Sequence, residues 1–292
     1  MARNNSIDTY GLGPINGHVV GRILKEAVRR ATVVIRNERL MFEAQTKKGY
    51  GGDMDDVFTS ADTKAQGIYL RTFRECFPLC GVIGEEDSLI IKPRKGCSVY
   101  FTIDPLDGTK AYIRRQSDGV GTMVAMVHKG NVISAYIGDI NTEEVYGYRP
   151  GSDKVHRITR LDTFEKLNNK GQGDLSKTYA LLRDPIGSYH SIATSNILDR
   201  FKNYEVTGSS IGIWMAKLWK GEVGAVFLKP GWETPWDSTP IIGISLKLGY
   251  VFLKSTAKGS WKKYTPVLPT EKYHRGHDTM VVHKDDLKFL DL

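Results

Sequence analysis

Val99-Tyr100-Phe101-Thr102-Ile103-Asp104-Pro105-Leu106-Asp107-Gly108-Thr109 carries an apolar strand straight into two carboxylates separated by Pro and Leu. Pro105 fixes its own φ and biases Asp104 toward extended backbone, which predicts a sharp turn there. Such a turn can aim Asp104 and Asp107 into one pocket and leave the carbonyl of Leu106 exposed. Hard oxygen donors of this kind suit Mg²⁺, which usually keeps several waters beside one or two carboxylates. Gly108 allows close approach of the backbone, and Thr109-Lys110-Ala111-Tyr112-Ile113 can begin a helix whose free N–H groups receive a phosphate. Asp-Pro and Asp-Gly pairs also make ordinary turns, so the string alone leaves a plain turn open.

Three further acidic segments bear on it. Gly81-Val82-Ile83-Gly84-Glu85-Glu86-Asp87 sets three carboxylates at the end of a short apolar strand, where a solvated strand end is the simple alternative. Trp232-Glu233-Thr234-Pro235-Trp236-Asp237-Ser238 puts Asp237 at the start of an apolar helix, as a metal ligand, an N-cap or both. Asp53-Met54-Asp55-Asp56-Val57-Phe58-Thr59-Ser60-Ala61-Asp62 is again acidic just before a helix, and helix capping explains it equally well.

Outward from these motifs the pattern divides in two. Residues 15–44 read as one long amphipathic helix, with Val20, Ile23, Leu24, Ala27, Ala31 and Val34 at helical spacing. A polar glycine-rich loop, Lys47 to Asp53, leads to a second helix from about Ala61 to Phe77. Strands follow near 80–83, 98–103, 120–127, 132–137 and 144–148, with a hairpin turning at Gly130-Asn131. Beyond Pro150, strands near 179–182, 225–228 and 250–253 alternate with helices near 189–201, 211–220 and 238–248. This predicts an N-terminal α+β domain with an antiparallel sheet over residues 1–150, and a smaller α/β domain over 151–292 that completes the site.

Among 292 residues, 40% are hydrophobic and 25% charged, the balance of an ordinary folded chain. No run approaches the roughly 20 apolar residues of a membrane-crossing helix. The opening Met1-Ala2-Arg3-Asn4-Asn5-Ser6 leads into polar sequence, which predicts no secretory leader and a cytoplasmic protein. Three cysteines, Cys76, Cys80 and Cys97, predict free thiols rather than a disulfide framework or a zinc site. The formal charge of +8 is spread along the chain without a basic block. It fits a polyanionic small substrate, and no nucleic-acid-binding motif accompanies it.

Taken together, Asp56-Val57-Phe58-Thr59 with Asp62, Gly84-Glu85-Glu86, Asp104-Pro105-Leu106-Asp107-Gly108-Thr109 and Trp236-Asp237 resemble, in order, the motifs of the inositol monophosphatase superfamily. The resemblance spans most of the chain. It implies a layered αβαβα sandwich and a Mg²⁺-dependent phosphomonoesterase with its site between the halves. It further implies that Glu85, Asp104 and the Leu106 carbonyl hold one Mg²⁺ and that Asp104, Asp107 and Asp237 hold a second, a third ion being left open. Thr109 backed by Asp56 would orient the attacking water, with Asp55 as a rival to Asp56, and the amides of Gly108 and Thr109 would hold phosphate. A small phosphorylated substrate and a homodimer are implied; a nucleic-acid polymer and a membrane are not.

The chain departs from the family pattern at Thr239-Pro240, which predicts an altered start to that helix, and at Pro230, where a sugar-contacting Glu is common. Gly208-Ser209-Ser210 ahead of a helix is similar to the bisphosphate-nucleotidase branch and offers substrate contacts or a helix cap. The balance leans to a 3′(2′),5′-bisphosphate nucleotide, with inositol 1-phosphate or another sugar phosphate as the alternative. A silent member that binds a phosphorylated ligand without turnover, and a basic nucleic-acid-binding protein, are the readings from other classes.

Overall fold

The computed structural model describes residues 12, 15–52, 54, 56–168, 170–187 and 189–290. The opening segment read for a leader, and the rival carboxylate Asp55, lie outside the described residues. In chain order the elements are α1 (Gly17–Glu38), β1 (Ala44–Lys47), β2 (Asp56–Thr59), α2 (Ser60–Cys76), β3 (Gly81–Gly84), β4 (Ile90–Ile91), β5 (Val99–Asp107) and α3 (Thr109–Ile113). Then come β6 (Gly121–His128), β7 (Asn131–Asp139), β8 (Val145–Tyr148), β9 (His156–Ile158), β10 (Phe164–Lys166), β11 (Tyr179–Leu182), α4 (Ile192–Ile197) and β12 (Asn203–Val206). The chain continues through α5 (Ile211–Lys220), β13 (Ala225–Leu228), β14 (Gly231–Glu233), α6 (Pro235–Lys247), β15 (Tyr250–Ser255), β16 (Trp261–Tyr264), β17 (Tyr273–Arg275) and β18 (Thr279–His283).

Two large sheets organise the layers. The first has eight strands in the order β10-β9-β8-β7-β6-β5-β3-β4, antiparallel throughout except for the parallel pair β3–β5. Along β6, Val124 and Met126 join the core beneath α1 and α2, while Met123 and Ala125 join the core beneath α5 and α6. Apolar residues on both faces are what a strand needs when helices cover both sides of its sheet.

The second sheet has six strands, β12-β11-β13-β18-β15-β16, parallel across β12, β11 and β13 and antiparallel beyond. Its alternation repeats the argument. Val226 and Phe252 face the shared core with α5 and α6, and Phe227 and Val251 face the core with α4. The stack is therefore α1 and α2, first sheet, α5 and α6, second sheet, α4, which is the expected αβαβα sandwich. Within the described residues no helix is long and apolar enough to cross a membrane.

Several local expectations are corrected. α1 stops at Glu38, short of Ala44, because Leu40 and Met41 stand 79% and 74% exposed and offer no core face to continue it. The freed segment forms a hairpin instead, Ala44 pairing with Thr59 and Lys47 with Asp56. The β6–β7 hairpin turns on Lys129-Gly130, both at positive φ, with His128 opposite Asn131, one residue earlier than expected. Finally, α6 begins at Pro235, so Pro240 lies inside the helix rather than at its start. It has no N–H to return to the carbonyl one turn earlier, yet the helix runs on to Lys247.

Candidate metal and phosphate site

β5 does not turn at Pro105; it runs on to Asp107 through a bulge. Asp104 pairs with Met123 but Asp107 with Gly121, so β5 spends one more residue than β6 over that interval. In a regular strand residues three apart point to opposite faces. The additional residue cancels that alternation, and proline is tolerated in a sheet at such irregularities. The side chain of Asp104 also accepts the Leu106 N–H at 3.1 Å, which holds the bulge.

Asp107 is fixed from the other half of the molecule. Its carboxylate accepts the Ser210 hydroxyl, the Ile211 N–H at 3.2 Å and the Gly212 N–H at 2.8 Å, at the first turn of α5. A carboxylate is favourable at a helix N-terminus, where unpaired N–H groups and the helix dipole meet it. Asp237 arrives on the first turn of α6. The N-cap there is Thr234, whose hydroxyl accepts the Asp237 N–H at 3.2 Å and donates to the Asp237 carboxylate at 2.7 Å.

Asp104, Asp107 and Asp237 each offer an oxygen within 4.8 Å of the others. Burial pushes the Asp104 and Asp237 carboxyls above the usual range, and the neighbouring carboxylates push Asp104 further. Burial and then Asp237 lift Asp107 to about 7. Three hard oxygen donors crowded out of water are electrostatically costly unless a cation joins them. The donor set thus fits a divalent cation such as Mg²⁺.

Glu85 lies on the same cavity, directly after β3, but its carboxylate is paired with Lys47 at 3.0 Å. Lys47 also holds Glu86 at 2.9 Å. Burial alone would lower this ammonium, but Glu85 and Glu86 outweigh it and hold it above its ordinary value. The glycine-rich sequence after Lys47 predicts only a loop, whereas Lys47 ends a strand of four residues that is mostly exposed and too short for a pattern.

Thr109 opens α3 behind Gly108, which sits at φ 89°. Its hydroxyl lies 3.0 Å from the Leu106 carbonyl and 3.3 Å from Asp62. Asp62, not Asp56, is therefore the carboxylate in hydrogen-bond contact with Thr109. Asp62 is fully buried, accepts the N–H and hydroxyl of Thr59 at 2.7 and 2.6 Å in a capping box for α2, and is raised by that burial to about 7. Asp56 lines the cavity, and its carboxylate accepts the N–H of Val57.

Asp56, Glu85, Asp104, Leu106, Asp107, Gly108, Thr109 and Asp237 all line one cavity of about 630 Å³. Gly208 and Ser209 line it too. Ser210 is sealed at 0% exposure; its hydroxyl caps α5 and supports Asp107 rather than facing the cavity. Arg183 and Lys229, which lie in none of the motifs, also line the cavity, as does Trp232 from the segment that carries Asp237. Glu233 is occupied by ion pairing with Arg275 and accepts the Ser238 hydroxyl at 2.7 Å.

Comparison with known proteins agrees with this architecture. The structure of the extragenic suppressor protein SuhB from Bartonella henselae superposes with a TM-score of 0.70 at 16% identity, covering 93% of this chain and 97% of that one. An IMPase/NADP phosphatase complexed with Mg²⁺ and phosphate superposes at 0.67 with 15% identity, over 94% of each chain. In sequence, the 3′(2′),5′-bisphosphate nucleotidase CysQ of Salmonella typhimurium is 32% identical over 79 residues, which is 27% of this chain and 32% of that protein. The matching segments span from 32% to 52% of the length of the curated relatives. The sequence profile of the inositol monophosphatase family matches residues 18–283. The chain belongs to the inositol monophosphatase family of phosphatases.

Proposed function

We propose that this protein is a Mg²⁺-dependent phosphomonoesterase acting on a small phosphate ester. The observation that carries the proposal is the convergence of Asp104, Asp107 and Asp237 within 4.8 Å on a cavity of about 630 Å³. Asp104, Asp107 and Asp237, with Glu85 and the Leu106 carbonyl beside them, are the groups that would hold the metal. Bound there, Mg²⁺ supplies an activated water and neutralises charge on the transferring phosphoryl group.

The remaining steps belong to the chain itself. Thr109 orients the attacking water, and Asp62 and the Leu106 carbonyl fix the direction of its hydroxyl. Gly108, with no side chain, leaves room for the phosphate against the backbone at the start of α3. The Ser210 cap and the α5 amides keep Asp107 from rotating away. No serine or cysteine nucleophile is needed.

For the alcohol that leaves, the lining around Trp232 and Arg183 favours an anionic, flat group, such as a 3′(2′),5′-bisphosphate nucleotide, over a sugar phosphate. Trp232 is 43% exposed on the cavity lining, Lys272 stands 6.0 Å from its ring and 5.7 Å from that of Tyr50, and Arg183 is an exposed cation on the same lining. Base–aromatic stacking and a nearby cation suit a nucleotide. The side chain of Pro230 offers no acceptor for sugar hydroxyls. The test is phosphate release from a bisphosphate nucleotide, inositol 1-phosphate and fructose 1,6-bisphosphate, with Mg²⁺ and with chelator. Turnover that needs Mg²⁺ and ranks the nucleotide first is expected. Ligand binding without turnover would favour the silent-member reading, and turnover in chelator would overturn the metal role.

A further inference from the structure

Away from the acidic cavity, two thiols face each other at the base of the strands that carry it. The sulfurs of Cys80 and Cys97 lie 3.6 Å apart. Cys80 directly precedes β3 and is 6% exposed, and Cys97 stands two residues before β5, half-buried. The two strands pair in parallel from Gly81 opposite Tyr100 to Gly84 opposite Ile103, and the thiols meet just before the paired stretch, on the residue that leads into β3 and on the segment that leads into β5. Both are anchored: the Cys80 N–H donates to Phe77, the Cys97 N–H donates to Arg94, and the Val99 N–H points at the Cys97 sulfur.

We propose that Cys80 and Cys97 form a dithiol site that reacts with small disulfide oxidants to give a reversible intramolecular disulfide. The bond requires the sulfurs to close to about 2.05 Å, a shortening of about 1.5 Å that rotation about the side-chain bonds can supply. Cys97, the more exposed of the two, attacks one sulfur of the oxidant as its thiolate, forms a mixed disulfide and expels one small thiolate. Cys80 then attacks the Cys97 sulfur, forms the Cys80–Cys97 bond and expels the second. The protons of both cysteines end on the two released thiols, so the protein loses two hydrogens and the oxidant gains them. Burial, followed by the neighbouring Cys97, pushes the Cys80 thiol up and keeps it protonated, which leaves the first attack to Cys97. The Cys97 contribution disappears once its sulfur is in the mixed disulfide, and Cys80 then attacks as the thiolate from within bonding reach.

The bond closes the loop of residues 81–96. It lies at the ends of β3 and β5 opposite to Glu85 and Asp104, which follow the last paired residues of those strands. It therefore braces the floor of the site without touching it. The third thiol, Cys76, ends α2 and is half-buried.

The test uses the full chain carrying Cys76→Ser, treated with glutathione disulfide. The intact mass should fall by two hydrogens, a digest should yield one peptide pair joined through Cys80 and Cys97, and dithiothreitol should restore both thiols. Closing a loop of this size should raise the thermal midpoint by about 5 °C, with phosphate release unchanged within twofold. In the further variant Cys80→Ser the reaction should stop at a glutathione adduct on Cys97. A stable adduct on Cys97 while Cys80 remains a free thiol, a link between two chains, no reaction, or a lowered midpoint would each overturn the proposal.

Discussion

Withdrawal of Mg²⁺ should cost stability, and the cost should depend on pH in a direction that the buried carboxylates dictate. Burial and Asp237 raise Asp107 to about 7, against roughly 3.9 for an unperturbed Asp. That difference of about 3 units corresponds to about 4 kcal/mol between the protonated and ionised forms. Because the folded-state value is raised, the metal-free protein holds this proton between about pH 4 and pH 7 while the unfolded chain has lost it. The stability from that proton is fully present below about pH 4 and is lost as pH rises through about 7. Mg²⁺ binds the ionised form, so its effect runs the other way. At pH 8, Mg²⁺ at a hundred times its dissociation constant should add about 2.7 kcal/mol. That is about 5 °C in thermal midpoint for a chain of this size. At pH 5.5, protonation of Asp107 weakens binding roughly thirtyfold and leaves about 0.8 kcal/mol, less than 2 °C. Calorimetric scans with Mg²⁺ and with chelator at the two pH values read this directly. An equal Mg²⁺ shift at both, or the full pH-dependent shift retained in Asp107→Asn, would refute the reasoning.

Asp62→Asn should lower kcat by roughly a hundredfold with little change in KM, since it frees the Thr109 hydroxyl; Asp56→Asn should cost less than tenfold, and the reverse order in steady-state kinetics would return the supporting role to Asp56. Gly108→Ala should destabilise by roughly 2 kcal/mol in chemical denaturation, because Gly108 sits at φ 89° and a Cβ there would lie 2.5 Å from the Gly119 carbonyl oxygen. Trp232→Ala should raise KM for a bisphosphate nucleotide about tenfold or more through lost stacking and leave that for inositol 1-phosphate within twofold; equal effects on both would remove Trp232 from substrate selection.

The layers were legible because their signals are local and repeated. α2 and α5 were predicted nearly to the residue, since their apolar stripes coincide with caps that the sequence spells out, Thr59 with Asp62 and Ser210. Strands covered on both sides read as continuous apolar runs, and five of the first sheet's eight were found that way. The missing strands are short or exposed. β10 has three residues, all exposed, and β12 has four, all exposed, so neither presents a face for burial to mark. The end of α1 was missed for a related cause: Leu40 and Met41 continue the helical spacing in sequence but point into solvent in the fold.

The site divides along a different line. Asp104, Asp107 and Asp237 could be named from motifs because a metal demands those residue types, whatever backbone delivers them. How they converge could not be read, because the bulge in β5 is a property of its pairing with β6 and Pro105 is equally compatible with a turn. The same distinction explains Asp62. A carboxylate at the third position of a helix is sufficiently accounted for by capping, and its Oδ2 does cap Thr59. Its Oδ1 faces Thr109, 47 residues further on, across a contact that exists only once α3 is set beside β2 and the start of α2. One carboxylate thus serves the helix with one oxygen and the site with the other. Local sequence explains the first role completely, and that completeness is what conceals the second. Lys47 is hidden in the converse way, since nothing local calls for a cation there and only the tertiary meeting with Glu85 and Glu86 gives it a partner.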